Sequence, residues 1–401
     1  MVIRDSRETP NSLLHADSFS AFTSESGAVG AIGDNGGMFN EADHQWMQRA
    51  LDLAARGLLS TTPNPRVGCV IVREGAVVGE GWHRKAGEAH AETLALAQAG
   101  DRARGAIAYV TLEPCSHFGR TPPCTDALVK ARLARVIVAM EDPNPLVNGQ
   151  GLDRLRAAGI DVRCGLLEAQ ARELNIGFVS RMTRGRPWVR LKVAASLDGY
   201  TALADGSSQW ITGEAARSDG HNWRARSCAI LTGIGTVRED DPMMTARAPQ
   251  AERQPLKVLV DSRLEVDPQA RILKSGRVLI AAADDPADRA QALRDRGCEL
   301  SFLPDARRKV DLNALMQELG ARGINELHVE AGFKLNGSLI REGLVDELLI
   351  YTAPSLLGGG RPMFDLPAAD RLDDRLHLAL HAVDQVGPDL RLIARVQRTS
   401  P

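Results

Sequence analysis

A histidine and two cysteines in the first half of the chain have the types and spacing of a metal site. His90 lies at the start of a segment with a helical pattern, Cys115 follows Pro114 directly after an apolar strand pattern, and eight residues separate Cys115 from Cys124. An imidazole nitrogen and two thiolates are ligands that Zn²⁺ takes in tetrahedral sites. Three protein ligands leave the fourth position to water, whose pKa the metal lowers, so the pattern predicts a catalytic zinc site.

Glu92 stands two residues after His90, where we expect it beside the open position of the metal rather than on it. A carboxylate at that place can take a proton from the water and pass it to a ring nitrogen and a leaving amine. His-x-Glu followed by Pro-Cys and a second Cys is the signature of zinc deaminases. The alternative is a structural zinc site, which needs a fourth protein ligand from His83 or His117 and leaves Glu92 without a role.

The segments that must position these residues alternate between strand and helix patterns. Met47, Ala50, Leu51 and Ala54 recur at helical spacing, and Gly57 can end that helix. The same reading predicts a hairpin turning at residues 74–75, helices over 89–99 and 168–182, and strands over 106–112, 135–140 and 161–164. Strands that alternate with helices indicate a layered α/β domain.

Length and composition limit the classes of protein to consider. The 401 residues suit two domains, and no apolar run reaches the roughly 20 residues that cross a bilayer. The net charge of −2 gives no basic excess, which argues against long nucleic acid but not against a small phosphorylated substrate. Six sparse cysteines and no secretory leader pattern predict thiols in a reducing, cytoplasmic compartment.

The order of patterns predicts three parts. Residues 1–40, rich in Ser, Gly and small polar residues, are expected to be a mobile N-terminal extension, or alternatively a few ordered turns on the first domain. A short basic stretch with Gly and Pro at 183–187 predicts a boundary between domains at 41–184 and 185–401. In the second domain, strands are predicted over 188–194, 229–232, 257–261, 277–281, 326–330 and 347–351, and a closing hairpin over 376–386 and 390–396.

The metal motif is similar to that of the cytidine deaminase superfamily, apart from the wider cysteine spacing. The insert at 116–123, with TPNPRVG at 62–68, GWH at 81–83 and AGEAH at 86–90, resembles the deaminase half of the bifunctional riboflavin biosynthesis family RibD. This resemblance implies zinc on His90, Cys115 and Cys124, and proton transfer by Glu92. Asn64 is a candidate contact to a pyrimidine edge, since an amide offers a donor and an acceptor in one plane; the alternative is a turn residue between prolines.

Two glycine loops follow strand patterns in the second half, but the Gly-x-Gly-x-x-Gly fingerprint of dinucleotide folds is missing from the sequence there. TGIGT at 232–236 and EAG at 330–332 place backbone amides where a phosphate or ribose could approach, or else make plain turns. Together with KVAASLDG at 192–199, SQWIT at 208–212 and VDS at 260–262, they resemble the reductase half of the same family. The resemblance covers residues 41–398 and implies a dihydrofolate-reductase-like C-terminal domain after a cytidine-deaminase-like three-layer α/β/α domain.

The same resemblance implies ligand contacts in the second half. Arg224 and Arg247 can clamp a sugar phosphate, Glu330 can hold hydroxyls or ring nitrogens, and Trp210 can offer a flat face to the cofactor. The alternatives are solvated arginines, a paired glutamate and a core tryptophan. NADPH is expected to contact Ala194, Trp210, Thr236, Asp240, Ser262, Gly332, Phe333, Lys334, Leu335, Asn336, Gly337 and Ser338, and substrate to contact Ser208, Arg224, Met244, Arg247 and Glu330.

Two positions depart from the family pattern. Tyr200 stands where a basic residue often follows Ser-Leu-Asp-Gly, and Ala194 stands where some members have Gly, so a Cβ could tighten the approach of the cofactor.

The leading hypothesis is a bifunctional enzyme with one zinc ion and NADPH, acting on a small phosphorylated pyrimidine as a homodimer or larger homo-oligomer, without nucleic acid or membrane. A nucleic-acid-editing deaminase with an appended domain is a second hypothesis and predicts a basic face. A non-catalytic zinc protein with a degenerate cofactor fold is a third and predicts four protein ligands on the metal.

Overall fold

Two β-sheets, one in each half of the chain, organise the fold. The structure is a computed structural model that describes residues 38–117, 122–145 and 147–397. Within these residues the first half forms strands β1 (Gly68–Arg73), β2 (Ala76–Trp82), β3 (Ile107–Val110), β4 (Arg135–Val138) and β5 (Asp161–Cys164), and helices α1 (Glu41–Ala55), α2 (Ala91–Ala99), α3 (Cys124–Lys130), α4 (Gln150–Ala157), α5 (Glu168–Leu174) and α6 (Ile176–Arg184).

The first sheet is covered by helices on both faces. Its strand order is β2-β1-β3-β4-β5, with β1 antiparallel to β2 and β3, and β3, β4 and β5 parallel. Successive strand residues point to opposite faces, so Cys69 and Ile71 pack with α2 and α4, whereas Val70 and Val72 pack with α1. This arrangement is the expected three-layer α/β/α domain.

The second half is built on a larger sheet. Its strands are β6 (Trp188–Ser196), β7 (Tyr200–Ala202), β8 (Ala229–Gly233), β9 (Leu256–Val260), β10 (Val278–Ala282), β11 (Glu299–Phe302), β12 (Glu326–Val329), β13 (Glu347–Ala353), β14 (Arg361–Pro362), β15 (Leu378–Val386) and β16 (Asp389–Val396). Its helices are α7 (Glu214–Arg226), α8 (Ile234–Asp240), α9 (Ala290–Asp295), α10 (Leu312–Ala321) and α11 (Phe333–Arg341).

Nine of these strands form one sheet in the order β11-β10-β9-β8-β12-β6-β13-β16-β15, and β7 pairs with β14. The strands from β11 to β13 run parallel, whereas β16 and β15 are antiparallel and close the sheet as the predicted hairpin. The parallel strands are buried on both faces, which explains why β8, β9 and β10 read as continuous apolar runs.

The structure corrects two predicted helices. The helix predicted over 168–182 is two helices, α5 and α6, because Asn175 uses its side chain to pair with the backbone of Arg66 at 2.8 and 2.9 Å. The helix predicted over 89–99 begins at Ala91, with His90 as an extended N-cap, and Gly100 leads into a 3₁₀ turn over Gly100–Ala103.

Some predictions fall outside the described residues. These are the extension over 1–37 and the part of the cysteine insert at 118–121. Helix α6 ends at Arg184 and β6 begins at Trp188, but the residues from Phe39 onward form one compact unit, so the boundary at 183–187 stays a prediction. Among the described helices, none combines the length and apolar character that a bilayer crossing requires.

Candidate active sites

Three structural elements bring the metal-ligand candidates together. His90 is the N-cap of α2, Cys115 follows the end of β3, and Cys124 is the first residue of α3. The Nδ1 atom of His90 lies 3.2 Å from Sγ of Cys124 and 3.6 Å from Sγ of Cys115, and the three atoms all lie within 4.8 Å of one another. The residues predicted from spacing therefore converge in space.

This cluster fits a zinc ion. With Zn–S bonds of about 2.3 Å and Zn–N bonds of about 2.0 Å, ligand atoms of a tetrahedral site lie roughly 3.5 to 3.8 Å apart. A hydrogen bond with the Cys124 side chain lowers the pKa of Cys115 and raises that of Cys124, and His90 and the backbone nitrogen of Cys124 lower the pKa of Cys115 further, which favours its thiolate. The thiolate is the form in which cysteine binds metal.

Glu92 lies in the first turn of α2 and lines the same cavity as His90 and Cys115. Its side chain is only 3% exposed. Burial raises the pKa of Glu92, a hydrogen bond from its own backbone lowers it, and the charge of Cys115 raises it again. The carboxyl group is thus enclosed next to the ligands, where the sequence predicts a proton carrier.

The cavity over this cluster has a volume of about 680 Å³, within the usual range for small-molecule sites. Asn64 lines it, and its Nδ2 atom lies 3.0 Å from Nε2 of His83. The Nδ1 atom of His83 is 3.1 Å from the carbonyl of Ala89, so both ring nitrogens of His83 have partners. Among the described residues the metal-ligand cluster has three members, and neither His83 nor His117 is one of them, which favours an open, catalytic zinc site over a closed structural one.

The sequence reasoning missed a second wall of the cavity. Glu113, Asp142 and Asn144 line it from the carboxyl ends of β3 and β4. Their position after neighbouring parallel strands was the available signal, because the carboxyl ends of such strands meet at one edge of a sheet. Arg181 and Phe178 of α6 complete the lining on the side of the second half.

The candidate residues of the second half gather at the carboxyl ends of parallel strands. Ala194 lies in β6, Thr236 and Asp240 in α8 after β8, Ser262 after β9, and Glu330 after β12. The strands β9, β8, β12 and β6 are neighbours in the sheet, so these residues lie along one edge of it. Ligands of open α/β sheets usually bind in the crevice at this edge, which we call the reductase crevice.

Glu330 and Arg224 form the charged centre of this crevice. The guanidinium of Arg224 donates to both carboxylate oxygens, at 2.5 and 2.7 Å, and Nε2 of His328 lies 3.2 Å from Oε1. Burial raises the pKa of Glu330, but the charge and hydrogen bonds of Arg224 outweigh it and hold the pKa well below its usual range. Arg224 is therefore engaged by Glu330, whereas Arg247 is exposed.

The sequence reasoning missed a partly buried histidine, His221, which lies near Arg224 and Arg247. The Nδ1 atom of His221 lies 3.4 Å from the backbone nitrogen of Arg247. Burial lowers the pKa of His221 to about 4, and the charges of Arg224 and Arg247 add to the shift. The surroundings thus favour an anion over a further cation.

The remaining predicted contacts lie in different surroundings. Trp210 is 69% exposed with the guanidinium of Arg217 4.6 Å from its ring centroid, and Ser208 precedes it in the same loop. Met244 is buried in an apolar cluster, and Asn336 and Gly337 are buried on the inner side of α11, against residues 363–365. The first turn of α11, with Phe333, Lys334 and Leu335, is more open, and Ser338 bonds back to Lys334. All these ligand contacts stay predictions.

The crevice has features that suit a phosphate-bearing cofactor. The N-cap of α11 is Gly332, which has no side chain to accept hydrogen bonds from the first backbone amides of the helix. Free amides at a helix N-terminus can bind phosphate. A Cβ built on Gly332 would lie 3.8 Å from Oγ1 of Thr236, so the loops after β8 and β12 approach each other closely. Within the described part of the chain, the buried Oγ1 of Thr232 at the end of β8 has no hydrogen-bond partner. The residues present therefore fit NADPH.

Models of known families match both halves of the chain. Residues 40–140 match the cytidine and deoxycytidylate deaminase zinc-binding region, and residues 187–392 match the RibD C-terminal domain. Fold and sites together define a zinc-dependent deaminase of the cytidine deaminase type joined to a reductase domain.

Known proteins resemble the chain over most of its length. The riboflavin biosynthesis protein RibD of Escherichia coli is 47% identical over 365 residues, which are 87% of this chain and 98% of that protein. The structure of Acinetobacter baumannii RibD shows a TM-score of 0.83 at 45% identity and covers 89% of this chain and 99% of that one. A Thermotoga maritima diaminohydroxyphosphoribosylaminopyrimidine deaminase/5-amino-6-(5-phosphoribosylamino)uracil reductase shows a TM-score of 0.79 at 30% identity, with the same coverage of both chains. The chain belongs to the RibD family of riboflavin biosynthesis proteins.

This membership confirms the predicted fold class, the bifunctional enzyme class, and zinc and NADPH as cofactors. It favours a small-molecule substrate over the nucleic-acid-editing and non-catalytic alternatives. The roles of individual residues are not tested by similarity of whole chains and stay predictions.

Proposed function

We propose that the first half hydrolyses an exocyclic amine of 2,5-diamino-6-(5-phosphoribosylamino)pyrimidin-4(3H)-one and releases ammonia. The second half then reduces the ribosyl chain of the resulting 5-amino-6-(5-phosphoribosylamino)uracil to the ribityl compound with NADPH. The observation that carries the proposal is the convergence of His90, Cys115, Cys124 and Glu92 on one cavity of ligand size. The order of the two reactions follows the order in the name of the Thermotoga relative.

In the deaminase cavity the residues divide the work of binding and proton transfer. Zinc, when bound by His90, Cys115 and Cys124, supplies the Lewis acidity that activates water. Asn64, oriented by its contact with His83, presents an amide edge to the pyrimidine. Glu92 takes a proton from the attacking water and gives it to a ring nitrogen; it then takes a second proton, from the hydroxyl newly added to the ring carbon, and gives it to the amine that leaves as ammonia, so the carboxylate is regenerated.

In the reductase crevice the residues bind and orient two ligands. NADPH, when bound, supplies the reducing equivalent. The first turn of α11 and the loop after β8 hold phosphate through backbone amides, and Arg247 offers an exposed guanidinium to the phosphate of the substrate. Glu330, fixed as a carboxylate by Arg224, accepts hydrogen bonds from sugar hydroxyls or ring nitrogens.

The direct test replaces Glu92 by Gln. Ammonia release from the diaminopyrimidine should fall by at least about 100-fold, since proton transfer by a placed carboxylate contributes factors of this size. Zinc content and reduction of supplied 5-amino-6-(5-phosphoribosylamino)uracil should be unchanged. Ammonia release at the wild-type rate would contradict the proposed role of Glu92.

We propose further that the protein acts in the cytoplasm as a homo-oligomer. All six cysteines are free thiols, as a reducing compartment maintains. Strand β15 is at the edge of the large sheet and exposes Leu378, Leu380 and Val383, so a second copy could cover it. Sedimentation equilibrium of the wild type and of Leu380→Glu tests this proposal, and a monomeric wild type would refute it.

A further inference from the structure

The loop over residues 62–66 carries Asn64 into the deaminase cavity, and Pro63 and Pro65 also line that cavity. Its backbone is anchored from the deaminase half by Asn175, which pairs with both the nitrogen and the carbonyl of Arg66. Further contacts to the same loop come from the reductase half. The position of the loop that carries Asn64 is therefore held by residues of both halves.

Asn325, directly before β12, holds the Pro63 end of the loop. Its Nδ2 atom donates to the carbonyl of Pro63 at 3.0 Å, and its Oδ1 atom accepts from Nε of Arg181 at 2.6 Å. Arg181 itself donates to the same Pro63 carbonyl at 3.2 Å. Asn325 is only 6% exposed, so solvent does not readily replace these bonds.

Glu326, the first residue of β12, holds the other end. Its carboxylate accepts from Nη2 of Arg66 at 2.7 Å, from Nε of Arg226 at 2.7 Å and from Nη1 of Arg190 at 3.2 Å. The side chains of Glu326 and Arg66 are 1% and 8% exposed. A buried arginine of the substrate-binding loop thus has its counterion in the other half of the chain.

Glu326 lies at the amino end of β12, whereas the reductase crevice lies at the carboxyl end, where Glu330 follows the strand. Four residues of strand separate them, or about 13 Å. A change at Glu326 can therefore be read in the deaminase reaction separately from the reductase reaction.

We propose that Asn325 and Glu326 of the reductase half are positioning residues of the deaminase reaction. They fix the 62–66 loop so that Asn64 meets the pyrimidine, which makes substrate affinity in the deaminase cavity depend on the reductase half. This inference rests on the proposed deaminase function. It assigns no contact with the substrate to either residue.

The test compares Glu326→Gln with Glu347→Gln in the full-length chain. Glu347 belongs to the same buried cluster and pairs with Arg190, and its side chain is 3% exposed, but its bonds go to arginines other than Arg66. For Glu326→Gln, the KM for ammonia release from the diaminopyrimidine should rise about tenfold with kcat changed less than about threefold. For Glu347→Gln, this KM should stay within about twofold of the wild type.

Zinc content and the KM of the reductase reaction are measured on both variants and should match the wild type. An equal rise of KM in Glu347→Gln, an unchanged KM in Glu326→Gln, or loss of zinc with a fall in kcat would overturn the proposal. If Glu326→Gln does not fold, Asn325→Ala decides, because it leaves the charged cluster intact: a rise of KM by a few fold supports the proposal, and no rise overturns it. A wild-type chain that releases no ammonia would instead refute the proposed function, before any variant is compared.

Discussion

At the scale of single residues, a lowered pKa favours the charged form of a cysteine in the deaminase site and the neutral form of a lysine in the reductase site. Among the metal-ligand candidates, the contact with Cys124 lowers the pKa of Cys115, which favours the thiolate. In the reductase crevice, Lys192 of β6 lies near Glu330 and Arg224. Burial lowers the pKa of Lys192, the charge of Glu330 raises it, and that of Arg224 lowers it again, for a net pKa below the ordinary value of 10.5.

The lowered pKa of Lys192 predicts a pH dependence for the reductase reaction. If the ammonium form assists catalysis, kcat/KM should fall with rising pH through a limb below 10.5, because a lowered pKa means that the proton is lost earlier. In Lys192→Arg, whatever activity remains should lose this limb, since a guanidinium stays charged. The measurement is NADPH oxidation from pH 6 to about 10.5; the same limb in the variant would assign it to another group.

At the scale of elements, Glu113 connects β3 to the segment between β4 and α4. Its buried carboxylate accepts from the backbone nitrogens of Asp142, Gly149 and Gly151, at 3.0, 2.9 and 2.7 Å. A Cβ built on Gly151 would lie 2.2 Å from the carbonyl of Pro114, so α4 starts directly against the loop that carries Cys115. One carboxylate therefore ties the loop that carries Cys115 to the segment that carries Asp142 and Asn144.

Replacing Glu113 by Ala should lower the free energy of unfolding by roughly 3 kcal/mol or more, because three amides lose their acceptor and each buried one costs about 1–3 kcal/mol. Ammonia release should fall with it. Urea denaturation and zinc content measure the effect. Glu141→Ala, which removes an exposed carboxylate of the same segment, is the control and should stay within about 0.5 kcal/mol of the wild type. Equal stability of the two variants would contradict the role given to Glu113.

At the scale of the whole molecule, a buried ionic cluster joins the two halves. It consists of Arg66 from the deaminase half with Arg190, Arg226, Glu326 and Glu347 from the reductase half. Burial raises the pKa of Glu326, but the charges of Arg226, Arg66 and Arg190 outweigh it and hold the pKa below its usual range. The contribution of such a group is present above its unfolded pKa and is lost as the pH falls toward its folded pKa.

We therefore expect the wild type to lose stability as the pH falls from about 5 to about 3, across the unfolded pKa of a glutamate. Glu326→Gln should be less stable at pH 7 by about 3–5 kcal/mol, because it takes the buried carboxylate away from Arg66 and Arg226, whereas Arg190 keeps Glu347. In this window the free energy of unfolding of the variant should depend less on pH than that of the wild type. The two slopes should differ by up to about 1.4 kcal/mol for each pH unit. Guanidinium denaturation at several pH values measures both effects. Glu74→Gln, at the exposed turn of the β1–β2 hairpin, should leave the pH dependence unchanged. Parallel pH curves for the wild type and Glu326→Gln would contradict the prediction.

The sequence alone determined the enzyme class and most of the architecture, and it predicted the candidate residues of the metal site. His90, Glu92, Cys115 and Cys124 stood out because metal ligands must have particular side chains, and the closing hairpin and the glycine loops stood out because local turns need particular residues. Only the tertiary structure decided that Glu330 fixes Arg224, that Asn175 breaks a helix to pair with Arg66, and that Glu326 is the counterion of a loop 260 residues away. These contacts join segments that are distant in the sequence. The desolvation penalty of the charged groups and the strength of their pairing both depend on burial by the surrounding chain, which no local sequence pattern records.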